Sequence, residues 1–218
     1  DEFFNTMEII KGPHVVKVIA NQPSLRQNYR LAVMEELKPV TFHVAAGTDN
    51  NSYNDDAYLW STEYPKYDVP RSYVTYAVDK KLFSDLLNAI VHLNYQGYVW
   101  GDLKQENMGI AADGTLKIYD FDMMTKKDKG NSYKDLLAFG KLYYNALTRL
   151  PVFAPGRHYS SSIRFPLKKE HFTNMINALV GANDETKKVL TKCFELDGTS
   201  TRENIDDVID KFKTELKI

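Results

Sequence analysis

The stretch "YVWGDLKQENMGIAADGTLKIYDFDMM", residues 98–124, constrains this chain more than any other. It sets Asp102, Lys104 and Asn107 within six residues, turns at Ala112-Asp113-Gly114, and ends an apolar strand at Asp120. On a regular helix, offsets of two and five would spread the three side chains around the axis. In a loop just after a strand they converge on one point. The hairpin that follows folds Asp120 back beside that loop. Two carboxylates, an amide and an ammonium are thereby expected to face one cleft.

Composition narrows the setting. The 218 residues suffice for one large domain or two small lobes sharing a core. A formal net charge of −1 gives no reason to expect a nucleic-acid or membrane surface. The single cysteine, Cys193, excludes an intramolecular disulfide and a cysteine-based metal site, and suits the cytoplasm or another reducing compartment. No apolar run approaches the ~20 residues of a membrane span, and the first residues do not read as a signal peptide.

The patterning predicts an α+β chain, strands first and helices later. Residues 2–11 form one or two helical turns stopped by Gly12-Pro13. Two strands are expected at Val15–Ala20 and Arg30–Met34, joined by a turn around Asn21–Pro23, with 35–39 as a connector. Residues 45–72, rich in Asp, Asn, Ser and Tyr, read as a long polar insertion. Val78, Leu82, Leu86, Leu87, Ile90 and Leu93 recur at threes and fours and predict a helix over 79–96, closed by Gly97. Beyond the hairpin, helices are expected at about 133–148, 168–180, 184–196 and 201–215. The five histidines show no paired metal-ligand spacing.

The groups of the opening stretch suit a hydroxyl nucleophile, a divalent cation and a polyphosphate. Asp102 can accept the hydroxyl proton, Asn107 and Asp120 can hold Mg²⁺, and Lys104 can neutralise a transferring phosphoryl group. Oxygen ligands favour Mg²⁺ over zinc. The stretch resembles the catalytic loop and metal-binding segment of protein kinases, His-Arg-Asp-Leu-Lys-x-x-Asn followed by Asp-Phe-Gly. Trp100 stands at the His, Gly101 at the Arg and Asp122 at the Gly. "HVVKVI" at 14–19 and "LAVMEEL" at 31–37 resemble the strand after the regulatory helix and the strand leading to the hinge. "DLLAFGKLYYNAL" from Asp135 is similar to the central buried helix, and "KCFELDGTSTRENIDDVI" to the closing helices, with Arg202 at a late family Arg.

The resemblance implies a partial N-lobe over 1–34 and a mainly helical C-lobe over 35–218. It makes Met34 the gatekeeper, and Glu35 to Leu37 the backbone contacts to the adenine of ATP. It makes Asp102 and Lys104 catalytic, Asn107 and Asp120 the Mg²⁺ ligands, and leans toward Ser/Thr-directed chemistry. Asp135 is expected to be structural, a buried carboxylate satisfied by backbone N–H groups. Arg202 also reads as an ordinary surface residue.

The departures matter as much. The sequence contains neither a Gly-rich phosphate loop nor the strand bearing the ATP-pairing Lys. Only fourteen residues lie between Asp120 and Asp135, with no Ala-Pro-Glu-like anchor and little room to dock a peptide. Gly101 removes the Arg that would read a phosphorylated activation loop. Asp122, in place of Gly, is expected to carry a conformational cost. A divergent Ser/Thr-type protein kinase is therefore weighed against a pseudokinase-like binding module and a small-molecule kinase. The 45–72 insertion, with Tyr53, Tyr58, Trp60, Tyr64, Asp55 and Asp56, is the expected surface for a protein substrate or partner.

Overall fold

The computed structural model describes residues 2–23, 30–40, 73–148 and 169–218, so the 45–72 insertion lies outside the described residues. The architecture is α+β. Helix α1 (Glu2–Ile9) is followed by strands β1 (Val18–Pro23), β2 (Arg30–Met34), β3 (Lys38–Pro39) and β4 (Tyr73–Val74). Helix α2 (Lys80–Tyr95) leads through β5 (Tyr98–Val99) to a single 3-10 turn, Gln105–Asn107. Strands β6 (Met108–Ile110), β7 (Leu116–Ile118) and β8 (Thr125–Lys126) come next. The chain ends with α3 (Lys134–Thr148), α4 (Lys169–Asn177), β9 (Leu179–Val180), α5 (Asp184–Phe194) and α6 (Arg202–Leu216). Among the described residues the strands form small sheets: antiparallel β1–β2, β3–β6–β7 and β5–β8, and parallel β4–β9.

The helices begin where side chains can satisfy their orphan N–H groups. Asp79 accepts the Leu82 N–H at 3.1 Å and starts α2, and Asn183 accepts the Thr186 N–H at 2.7 Å and starts α5. At α6, Thr201 and Asn204 exchange bonds of 3.2 and 2.9 Å in a reciprocal cap. Of the apolar positions read from the sequence, Leu86, Leu87, Ile90 and Leu93 enter the core, Val78 and Leu82 pack half-buried against it, and Phe83 of α2 joins them in the core. There Phe83 meets Phe139 and Tyr143 edge-on, with ring centroids 5.7 and 4.9 Å apart, and Phe139 meets Phe212 at 4.8 Å. Such pairs contribute about 0.5–1.5 kcal/mol each beyond area burial, and here they join α2, α3 and α6. The Tyr143 hydroxyl donates to Glu215 Oε1 at 2.9 Å. Burial foremost, with the Glu215 carboxylate beside it, pushes that hydroxyl far above its ordinary pKa, so it stays a donor.

Helices α3 and α5 touch at Gly140. A Cβ built there would lie 2.3 Å from Cys193 Sγ, a distance no packed pair tolerates. Gly140→Ala is therefore expected to destabilise the fold by about 1–3 kcal/mol through overpacking, despite the better helix propensity of Ala. Urea denaturation checks this, and a variant as stable as the parent would mean that α5 shifts freely. Cys193 is fully enclosed, its thiol bonded to Leu136 O at 3.2 Å and pushed by burial up to about 12, so it is inert at neutral pH.

Several boundaries differ from the sequence reading. Val15 and Val16 do not start the strand that pairs with β2. Val15 bridges Ile118 in parallel and the Val16 N–H donates to Ile118 O at 3.0 Å, which diverts them onto β7. The β1–β2 ladder begins only at Val18, and Asn21–Pro23 are strand, paired with Ala32–Arg30, not a turn. Proline is tolerated there because β1, in a two-stranded sheet, is an edge strand. The expected connector contains β3, held against β6. The helix expected to reach 180 stops at Asn177, because Leu179 and Val180 leave to pair with β4. Helix α5 stops at Phe194.

Candidate active site

Strand β5 delivers the chain into the loop 100–104, and a buried carboxylate fixes its entry. Asp135, 1% exposed at the start of α3, accepts the N–H groups of Trp100 at 2.6 Å and Gly101 at 2.8 Å. Burial pushes the Asp135 carboxyl up from its ordinary pKa, and the two N–H donors pull it back. Its role is the structural one expected. Gly101 has φ +80°, and a Cβ there would lie 3.0 Å from the Met123 carbonyl oxygen. Glycine at this position is thus demanded by the backbone and by the neighbouring segment.

Beyond Gly101 the three expected side chains meet. Asp102 Oδ2 accepts Lys104 Nζ at 2.6 Å and Asn107 Nδ2 at 2.8 Å, and Asn107 Nδ2 also reaches the Asp102 carbonyl at 3.1 Å. The hydrogen bond that Lys104 donates to Asp102 is the main cause that raises the Lys104 pKa above its ordinary value; burial opposes it, and the charges of Asp102, Asp120 and Glu106 add to it. Asp120 therefore lies within electrostatic reach of this group. Asn107, 4% exposed, is set by the 3-10 turn, and its carbonyl accepts the Tyr119 N–H at 3.0 Å. With Nδ2 committed to Asp102, Oδ1 is the acceptor of the Asn107 side chain.

Asp120 follows β7 with φ +62°, left-handed for a residue with a side chain. Its carbonyl accepts Trp100 Nε1 at 2.8 Å, and Phe121 packs beside Trp100 with ring centroids 6.4 Å apart. This corrects one expectation: the left-handed residue of the Asp-Phe-Asp triplet is Asp120, not Asp122, so Asp122 pays no such cost. Arg202 is a surface residue on α6, 80% exposed and 3.5 Å from Asp206 one turn on.

The hinge-like residues connect to this site through β6. Met34 ends β2 opposite Val18 and is 45% exposed. Glu35 turns its carboxylate back, accepting the Lys17 N–H at 2.6 Å and pairing with Lys117 at 2.8 Å, while its own N–H donates to Lys17 O at 3.0 Å. Leu37 lies over Gly109, where a Cβ would stand 2.5 Å from Leu37 Cβ. Gly109 is two residues past Asn107, so this close approach ties the hinge-like segment to the loop.

The short segment after Asp120 folds on itself. β8 pairs with β5, the Lys127 N–H donates to Gly97 O at 2.8 Å, and Asn131 bridges the Asp128 N–H at 2.7 Å and the Lys126 carbonyl at 2.9 Å. Among the described residues no three His, Cys, Asp or Glu side chains cluster as a metal cage. One carboxylate and one amide oxygen suit a hard cation that keeps waters and takes its remaining ligands from phosphates.

No protein-family model matches the chain. Among curated proteins, the maternal embryonic leucine zipper kinase of Xenopus laevis is 29% identical over 96 residues, 44% of this chain and 14% of that protein. That of Xenopus tropicalis is 28% identical over 121 residues, covering 56% and 18% of the two chains. That of Danio rerio is 32% identical over 80 residues, covering 37% and 11%. The chain is distantly similar to a kinase. The matched portions span less than a fifth of those relatives.

Sequence reasoning missed Tyr119 and Asn131. A tyrosine before an aspartate on an apolar strand reads as packing, and an asparagine in a polar turn reads as surface. Neither carries a local signal for its bonds, which reach 12 and 13 residues back for Tyr119 and up to six for Asn131.

Proposed function

We propose that this chain carries the C-lobe of a divergent protein-kinase-like fold and supports Mg²⁺-ATP-dependent phosphoryl transfer to a Ser or Thr hydroxyl. The observation that carries this reading is the convergence on one Asp102 oxygen of Lys104 and Asn107, with Asp120 in electrostatic reach. Asp102 keeps Oδ1 for the proton of an incoming hydroxyl. Lys104 offers its charge to the transferring group. Asn107 Oδ1 and the Asp120 carboxylate would hold Mg²⁺, which when bound neutralises phosphate charge. Met34 and the backbone of Glu35 to Leu37 would border the adenine, with the Glu35 N–H already bonded to Lys17 O just beyond the β1–β2 ladder. A protein substrate would be recognised through the 45–72 insertion, since the segment after Asp120 is short and closed by its own bonds.

Nucleotide-dependent melting tests the reading. ATP should raise the melting temperature only when Mg²⁺ is present, and Asp120→Asn should abolish the rise. A ligand at 100 times its dissociation constant contributes about 2.7 kcal/mol by mass action. A flat response at millimolar Mg-ATP would sink the enzymatic reading and favour a binding module.

A further inference from the structure

We propose that the exposed lysines of the segment after Asp120 form a docking surface for an acidic stretch of the protein substrate, which rests on the phosphoryl-transfer reading of the neighbouring loop. In a chain of net charge −1, residues 125–134 hold four lysines and one aspartate. Every residue from Thr125 to Gly130 is exposed, and so is Lys134. Several helical lysines are met by a carboxylate one turn away, as Lys81 is by Asp85, Lys188 by Glu185 and Lys211 by Asp207. Among the described residues, no carboxylate pairs with Lys126, Lys127, Lys129 or Lys134.

The one acid of this segment serves its own turn. Asp128 Oδ1 accepts the Gly130 N–H at 2.7 Å, the Asp128 N–H donates to Asn131 Oδ1 at 2.7 Å, and the Asp128 carbonyl accepts the Ser132 N–H at 3.1 Å. Asn131 Nδ2 adds a bond to the Lys126 carbonyl at 2.9 Å. These bonds use main-chain groups and two short side chains, the usual chemistry of such turns. Lys127 is drawn in, its Nζ donating to Asn94 O at 3.3 Å. The turn closes without the side chains of Lys126, Lys129 and Lys134, and their charge is left facing solvent.

Strand pairing brings that charge beside the candidate site. Lys126 pairs with Tyr98, four residues before Asp102, and a Cβ on Gly101 would stand 3.0 Å from the Met123 carbonyl oxygen. At ~3.3 Å per residue and ~4.8 Å between strands, the Cα atoms of Lys126 and Asp102 lie within about 18 Å. An extended peptide with its hydroxyl at Asp102 spans that distance in about five or six residues. The short segment offers no long groove for a peptide main chain, but side-chain charges need none. They steer an acidic stretch inward, hold it by exposed pairs and repel a basic one. A nucleic acid fits less well, since binders that neutralise roughly six to ten phosphates use more cations than this segment supplies.

The native chain is compared with Lys126→Glu/Lys129→Glu, and with Lys187→Glu/Lys188→Glu on α5, which makes the same change of net charge elsewhere. The bonds of the turn use neither lysine side chain, so the first variant should keep the parental melting temperature. The probes are fluorescent serine peptides with a run of four glutamates, lysines or glycines starting four residues to either side of the serine. In fluorescence anisotropy the glutamate peptide should bind the parent most tightly, about tenfold more weakly to Lys126→Glu/Lys129→Glu, and unchanged to the α5 variant. Raising the salt from about 50 to about 300 mM should erase most of that preference, because exposed pairs are screened. With Mg-ATP, Lys126→Glu/Lys129→Glu should raise KM for the glutamate peptide by a similar factor and leave kcat level. Equal binding of the three peptides, or a glutamate preference that survives the double reversal, would overturn the surface. Single-stranded RNA that displaces the glutamate peptide and binds more tightly would overturn it too, in favour of a nucleic-acid partner. If the glutamate peptide binds through Lys126 and Lys129 but receives no phosphate, the surface stands and the phosphoryl-transfer reading fails. Transfer to all three peptides alike would do the reverse.

Discussion

Asp102→Asn should cut phosphoryl transfer by about 10²–10⁴-fold while leaving Mg-ATP binding nearly level, the signature of losing a general base and its positioning. The geometry explains why binding should survive. An amide oxygen at the same position can still accept from Lys104 Nζ and Asn107 Nδ2, now 2.6 and 2.8 Å from Asp102 Oδ2. What disappears is the carboxylate that can take a proton, together with one ion pair. The side chains of that pair are 31% and 24% exposed, so its contribution to stability is screened and amounts to less than about 1 kcal/mol. The melting temperature should therefore barely move. The measurement pairs single-turnover transfer with calorimetric nucleotide binding on the native chain. Transfer that persists at the parental rate would place the base elsewhere.

Asp135→Ala should be the most damaging single change among the residues around the loop. It strands the buried Trp100 N–H and leaves the half-buried Gly101 N–H without its acceptor, which costs about 2–4 kcal/mol at the usual penalty for orphaned donors. Native domains have about 5–15 kcal/mol in total, so a large part of the stability is at stake. The effect should reach function too, because Gly101 immediately precedes Asp102. Asp135→Asn, which keeps one acceptor but turns an NH₂ toward the second donor, should fall between parent and Ala. Urea denaturation gives the ordering, and transfer should fall in the same order. If Asp135→Ala keeps the parental midpoint, the two N–H groups find water and the loop is not anchored by α3.

The residue pattern by itself determined the elements whose causes are local. The apolar period of 79–96 and the Gly97 stop act within one or two turns, so α2 was legible within a residue at each end, and α6 was placed as closely. The spacing of Asp102, Lys104 and Asn107 could be read as a convergent loop because helix geometry would scatter it, and the three do meet. The buried, satisfied state of Asp135 was also legible, through the resemblance of the segment from Asp135 to the central buried helix of protein kinases.

Contacts between distant segments decided the rest. Ile118 pulls Val15 and Val16 off the β1–β2 ladder across about a hundred residues, and no propensity at Val15 encodes that. Tyr73 and Val74 shorten α4 by claiming Leu179 and Val180 as a strand, overriding a helical pattern with a pairing partner far away. Glu35 was read for its backbone alone, and only the fold shows Lys117 and the Lys17 N–H turning its carboxylate inward. The left-handed backbone fell to Asp120 and not to Asp122, where Trp100 holds the Asp120 carbonyl and Asn107 holds the N–H of the preceding Tyr119. Local order follows from periods and caps within reach of a few side chains. The orientation of the candidate site follows from hydrogen bonds whose partners only the folded chain brings together.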